Sequence, residues 1–371
     1  MFFLGVGTNI IGAASNNIGL NPFQIGLLIA FQNVGFGISV LITGAMADTR
    51  SKPVLLGVGS VILAASFYLY YLWGGFVLNL LIMLVMGIGI GTYEGVADAL
   101  LLGIQKKRQS FFISINHFFV TFGSLIIAIY LIFLQMDWRR SMTQSAVLVG
   151  ALAVLFFFER TEQGLGGKTK VLDRYRNIGK GPVVFVLFFA AMCAVSTEMV
   201  ALGIIPTFLI ELRGFSLVTS KIGLVVFLAG IACGRVILGF IATKERIVGI
   251  ILFLFGLEIV LSSITYFVPM SDYMIYTMLF LYGANVSVIF PLIITLAGLR
   301  FPEMAGTAMS FIKLGIPIAG IISPVVLSLL SRYTGFASAL FIFPTVGAIG
   351  FVLSLMNRKK LALDTGKTTG I

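Results

Sequence analysis

Residues 76–103 read FVLNLLIMLVMGIGIGTYEGVADALLLG. This run of 28 residues carries only two charges, Glu94 and Asp98, in an otherwise largely apolar stretch. An α-helix needs about 20 apolar residues to cross a bilayer core of about 30 Å. In lipid only helices or closed barrels satisfy every backbone polar group. The run therefore reads as a membrane-spanning helix with two acids at depth.

Working outward, runs of the same length recur along the chain near 1–18, 23–46, 53–73, 109–135, 140–158, 182–210, 221–242, 247–268, 273–299, 304–331 and 335–357. With 76–103 they make twelve spans and leave no stretch for a soluble catalytic domain. Composition agrees: 59% of residues are apolar and 11% charged, with mean hydropathy +1.08, whereas soluble domains are about one-quarter charged. The expected fold is an all-α polytopic membrane protein and not an enzyme. The first span begins at Met1, which reads as a trimmed or compact N-terminus rather than a cleaved leader.

Orientation follows from Lys and Arg, which accumulate in cytoplasmic loops. One side carries eighteen, grouped at Arg50 and Lys52, at Lys106 to Arg108, through the linker, at Lys244, Arg246 and Arg300, and after Met356. The other has Arg139, Arg140, Arg213, Lys221 and Arg332. Both termini are expected on the cytoplasmic side of the plasma (inner) membrane. The net charge of +11 is then orientation plus attraction to anionic membrane lipid, with no nucleic-acid partner. Two cysteines within apolar runs and one histidine, His117, predict no disulfide, no metal and no cofactor.

The chain also divides. Its longest polar stretch, 159–181, separates six spans (1–158) from six (182–357), with a tail at 358–371. Gln24-Ile25-Gly26-Leu27 opens the second span and Lys221-Ile222-Gly223-Leu224 the eighth; Gly44 to Lys52 closes the former and Gly239 to Arg246 the latter. Internal repeats of this kind mark secondary transporters, with the substrate site near the midplane between repeats.

At Gly44, Asp48, Arg50 and Lys52 the loop after the second span resembles the signature of the major facilitator superfamily, Gly-x-x-x-Asp-basic-x-Gly-basic. Thr49 and Ser51 depart from the pattern, and the second copy has Thr243 in place of the acid. The resemblance implies two pseudo-symmetric six-helix bundles and a gating charge relay through Asp48, Arg50 and Lys52. The bland alternative is a tight turn with ordinary positive-inside charge.

Charges at bilayer depth cost several kcal/mol and are functional candidates by default. Six qualify: Glu94, Asp98, Glu198, Arg235, Glu258 and Lys313. Glu94 and Asp98 share a helix face. Counting 1.5 Å per residue from the loop cations puts Asp98 about 12 Å deep and His117 about 13 Å deep, so the two can pair and exchange a proton. Lys313 either binds an anionic substrate or is the counter-ion of Glu198 or Glu258. Arg235 is expected to pair with the second loop motif and to act in gating. Gln32, Asn33, Asn285 and Tyr282 offer hydrogen bonds to a hydroxylated substrate, or equally to neighbouring helices. The Gly87, Gly91, Gly95 stripe reads as close helix packing, and Pro206, Pro291, Pro317 and Pro324 as kinks or hinges.

Gly87 to Asp98, Asn116 to Gly123, and Glu198 to Arg213 with Gly234 to Gly239 resemble the fucose, galactose and glucose proton symporters within that superfamily. The resemblance implies that a carboxylate at Glu94 contacts sugar and that His117 lines the cavity. Where some members carry a coupling acid on the first span, this chain has Thr8, Asn9, Asn16 and Asn17. The resulting expectation is a monomeric secondary transporter of a small polar solute, a monosaccharide, coupled to protons. The alternatives are proton-driven efflux or anionic-metabolite transport on the same fold, and a non-transporting receptor or assembly partner.

Overall fold

The structure is a computed structural model and describes residues 1–105, 107–133, 137–159 and 170–363, with the side chains of 9, 11–17, 22 and 128–133 outside the description. Most of the expected linker, the end of the tail, and the side chains of Asn9, Asn16 and Asn17 lie outside the described residues.

Every described element is helical. The first six are α1 (Phe2–Ile18), α2 (Pro22–Ala47), α3 (Lys52–Leu69), α4 (Phe76–Ile104), α5 (Gln109–Phe133) and α6 (Trp138–Phe158). An amphipathic turn, α7 (Val171–Ile178), precedes α8 (Pro182–Arg213), α9 (Leu217–Ile241), α10 (Ile247–Phe267) and α11 (Asp272–Arg300). A 3-10 turn at Pro302–Met304 then leads to α12 (Ala305–Lys313), α13 (Gly315–Thr334), α14 (Phe336–Ala339), α15 (Ile342–Met356) and α16 (Arg358–Leu361).

Eleven of these spans, with 302–334 taken as one, are long and apolar enough to cross a membrane; α1, at 17 residues, completes the twelve. Helix boundaries follow local chemistry. Asn21 and Gln24 form a capping box at the start of α2, which satisfies donors that a helix N-terminus otherwise leaves open. Prolines occupy the first turns of α2, α3 and α8, where a missing N–H costs nothing. Gly214 ends α8 with φ +72°, a left-handed conformation that glycine adopts without strain.

The expected eleventh span, 304–331, is broken. Helix α12 stops at Lys313 and α13 restarts at Gly315, so the turn around Leu314 divides one apolar run into two short helices. Pro317 lies just after that break, while Pro206, Pro291 and Pro324 sit inside continuous helices.

Two compact units result. The first comprises 1–106, 116–180 and 301–314; the second comprises 107–115, 181–300 and 315–371. A division at the polar linker alone does not anticipate that α12 packs with the first unit, against α2 and α4, or that the start of α5 packs with the second. In the first unit α4 lies against α2 and α3, α3 against α6, and α1 against α5, where a Cβ on Gly5 would overlap the Val120 carbonyl. In the second, α11 packs on α9, α10 and α8, and α15 on α8 and α10. The second unit's core is aromatic: Tyr266 stacks on Phe343 at 4.4 Å and meets Phe208 edge-on at 4.9 Å.

Candidate functional site

The site in the first unit is built by glycine. On α4, a Cβ at Gly87, Gly91 or Gly95 would overlap, respectively, the Gln32 carbonyl, Ser39 Oγ with the Phe36 carbonyl, or Thr43 Oγ1. The stripe is where α2 and α4 touch backbone to backbone. Gly44 on α2 meets Ser310 and Gly306 of α12 in the same way. These crossings bring α12 close enough for Lys313 to reach the two acids of α4.

The Lys313 ammonium lies 2.6 Å from Glu94 Oε2, 2.6 Å from the Glu94 carbonyl oxygen and 2.6 Å from Asp98 Oδ2. Helix α5 completes the cluster. His117 Nε2 is 3.1 Å from Asp98 Oδ2, and Asn116 Nδ2 donates to Asp98 Oδ1 at 2.6 Å. Lys313 has no solvent exposure, and Glu94, Asp98 and His117 are all buried. The ammonium's three donors meet three oxygens, the satisfaction a buried ion pair requires. Lys313 therefore pairs with neither Glu198 nor Glu258. The break after Lys313 ties α12 to α4, a placement that helical counting along one continuous span does not anticipate.

Glu94, Asp98 and His117 each offer one ligand atom, all within 4.8 Å of one another, a spacing that could hold a metal ion. Lys313 bonds the same carboxylate oxygens, so an ion would have to displace a buried ammonium. Two carboxylates and one ammonium sum to −1, and a proton on the imidazole or on either acid makes the cluster neutral. Inside a low-dielectric bundle these two states differ strongly in energy.

Asp48, just past the end of α2, accepts from Gly306 N (2.7 Å), Thr307 N (3.0 Å) and Thr307 Oγ1 (2.6 Å), with Arg174 Nη1 at 3.4 Å. It caps the N-terminus of α12 in trans, satisfying open donors and opposing the helix dipole. Burial outweighs these donors and holds its carboxyl above the usual carboxylate range. Of the expected relay, Arg50 is exposed and Lys52 half-buried within electrostatic reach of Asp48, and the cation ion-paired to Asp48 is Arg174 of α7. Sequence reading missed α7. Its signal was Arg174 and Ile178, one turn apart and both buried, beside Tyr175, whose hydroxyl donates to the Leu41 carbonyl at 2.6 Å.

In the second unit Arg235 binds Glu198 at 2.9 Å and the Ser287 carbonyl at 3.3 Å. The ion-pair partner of Arg235 is thus a span residue rather than the loop after α9. Gln32 donates to the Gly7 carbonyl at 3.0 Å and Asn285 to the Leu254 carbonyl at 3.0 Å, both helix-to-helix bonds. Asn33 is half-buried, and Tyr282 is sealed in the aromatic core. The site residues do not form one constellation: Glu94, Asp98, His117 and Lys313 converge, while Glu198, Arg235 and Asn285 belong to the other unit.

The fold is shared with solved transporters. The fucose transporter FucP, in the outward conformation, superposes with TM-score 0.75 at 16% identity, over 96% of this chain and 98% of that one. The proton:xylose symporter XylE, bound to 6-bromo-6-deoxy-D-glucose, gives TM-score 0.72 at 14% identity over 97% and 93%. The human organic anion transporter MFSD10 gives 0.68 at 16% identity over 94% and 89%. No curated protein sequence matches the chain. The model of the Major Facilitator Superfamily matches residues 1–314, so with its twelve spans and its shared fold this chain belongs to that superfamily of membrane transporters.

Proposed function

We propose that this protein is a proton-coupled symporter that takes up a small polar solute, a monosaccharide, by alternating access. It would act as a single chain in the plasma membrane, both termini cytoplasmic by the distribution of Lys and Arg. The observation that carries the reading is the Glu94–Asp98–His117–Lys313 cluster, in which two carboxylates share one ammonium. A hydroxylated solute that donates hydrogen bonds to Glu94 competes with Lys313 for it. An acid stripped of its ammonium and still buried is favoured in its neutral form, so solute and proton arrive together. The sugar:proton symporters FucP and XylE share the fold and support this class of substrate.

The anionic reading is less well supported, since Lys313 is already saturated by three oxygens. The test is proton movement across proteoliposomes on adding a panel of sugars and small carboxylates, with wild type beside Glu94→Gln. Sugar-dependent alkalinisation that disappears in the variant is expected. Proton movement with carboxylates alone would replace the sugar by an anion, and solute flux unchanged at every proton gradient would remove the coupling.

A further inference from the structure

Glu258 is the one ionisable acid or base on α10 apart from Tyr266, and α15, packed against it, carries none. It has no solvent exposure, and neither carboxyl oxygen has a hydrogen-bond partner. Among the described residues its surroundings offer uncharged polar groups and no cation. Thr197 of α8 faces the carboxyl, and its hydroxyl also lies 3.0 and 3.3 Å from the Ala194 and Cys193 carbonyls. Asn285 of α11 donates one N–H to the Leu254 carbonyl, one turn before Glu258, and its own Oδ1 is buried without a partner. Gly347 of α15 closes the remaining side, where a Cβ would already touch the carboxyl carbon at 3.4 Å.

We infer that Glu258 is a second proton site of this transporter, held in the second unit and separate from the Glu94 cluster. A single proton on Glu258 removes the one charge that this uncharged, fully buried pocket would otherwise have to hold. A metal cation would need a larger oxygen cage than Thr197, Asn285 and one carboxylate provide. The other titratable groups facing it are Cys193 from α8 and Tyr282 from α11, neither of which brings a positive charge, and among the described residues no cation is ion-paired to it. An ionised carboxylate in this packing costs several kcal/mol. Proton release therefore requires water to reach the α8–α10–α15 junction, and the narrow cleft lined by Ser196, Thr197, Ser323, Phe343 and Val346 is its route. Alkaline conditions then favour an open junction.

Infrared difference spectroscopy of lipid-reconstituted protein reads this without any transport assay, so it stands or falls apart from the symport proposal. Wild type and Glu94→Gln are expected to show the carbonyl band of a protonated carboxylic acid at neutral pH; Glu258→Gln loses it and Glu258→Asp shifts it. Should Glu258→Gln not assemble, the Asp variant carries the assignment. Spectra that superimpose across folded wild type and Glu258 variants overturn the inference. In a Cys233→Ser background, maleimide labelling of Cys193 should rise more steeply with pH in wild type than in Glu258→Gln, and identical pH profiles overturn the link to opening.

Discussion

Lys313 is the residue on which the first unit turns. Removing its ammonium leaves Glu94 and Asp98 facing each other in a dry interior, and breaking a buried pair from one side costs about 3–5 kcal/mol. Lys313→Ala is therefore expected to lower the unfolding temperature by far more than a surface substitution. Lys313→Met combined with Glu94→Gln, which removes the opposing charge as well, should recover much of that loss by thermal-shift measurement. Asp48 makes a different prediction. Its carboxyl is held above the usual carboxylate range by burial, so its linked contribution to stability is fully present below the unfolded pKa and is lost as pH rises through the folded one. Asp48→Asn turns an NH2 toward the donors of Gly306 and Thr307 and costs about 1–3 kcal/mol. The gap in melting temperature between wild type and Asp48→Asn should therefore narrow as pH is raised from acid towards neutral. A gap that widens would show that the donors and Arg174 outweigh burial. The acids at depth were legible because charge in an apolar run stands out. Their partners were not: Arg174 lies in a polar stretch of unremarkable composition, and Lys313 sits at a break that its local sequence does not advertise.

At the scale of elements, the α2–α4 crossing decides whether the site exists. A methyl at Gly87 would overlap the Gln32 carbonyl, and backbone cannot move aside as a flexible side chain can. Gly87→Ala should yield protein that fails to run as a monodisperse peak in detergent, whereas Gly203→Ala and Gly150→Ala, which meet nothing within 4 Å, should behave as wild type. Equal behaviour of Gly87→Ala and Gly203→Ala would show that the helices can separate without loss. The glycine stripe was readable as a packing face from its spacing alone. Its partner helix was not, because small residues invite close approach from any neighbour. Helix α7 shows the converse: its eight residues give only the Arg174–Ile178 spacing as a signal, and they are placed by the bonds of Arg174 to Asp48 and of Tyr175 to Leu41.

For the whole molecule, the two units carry different charge chemistry. The first holds an ammonium saturated by oxygens of Glu94 and Asp98. The second holds the Glu198–Arg235 pair and, buried apart from any ion pair, Glu258. The long apolar runs and the helical class were settled by the sequence by itself, because the bilayer demands long apolar helices and penalises every charge left inside them. What only the tertiary structure decided was which charges meet. Helical counting gives depth along an axis, but pairing depends on which helices touch and where a span breaks. Here backbone contact at Gly44, Gly87, Gly91 and Gly95, and the interruption after Lys313, carry the ammonium to Glu94 and Asp98 instead of to the acids of the second unit.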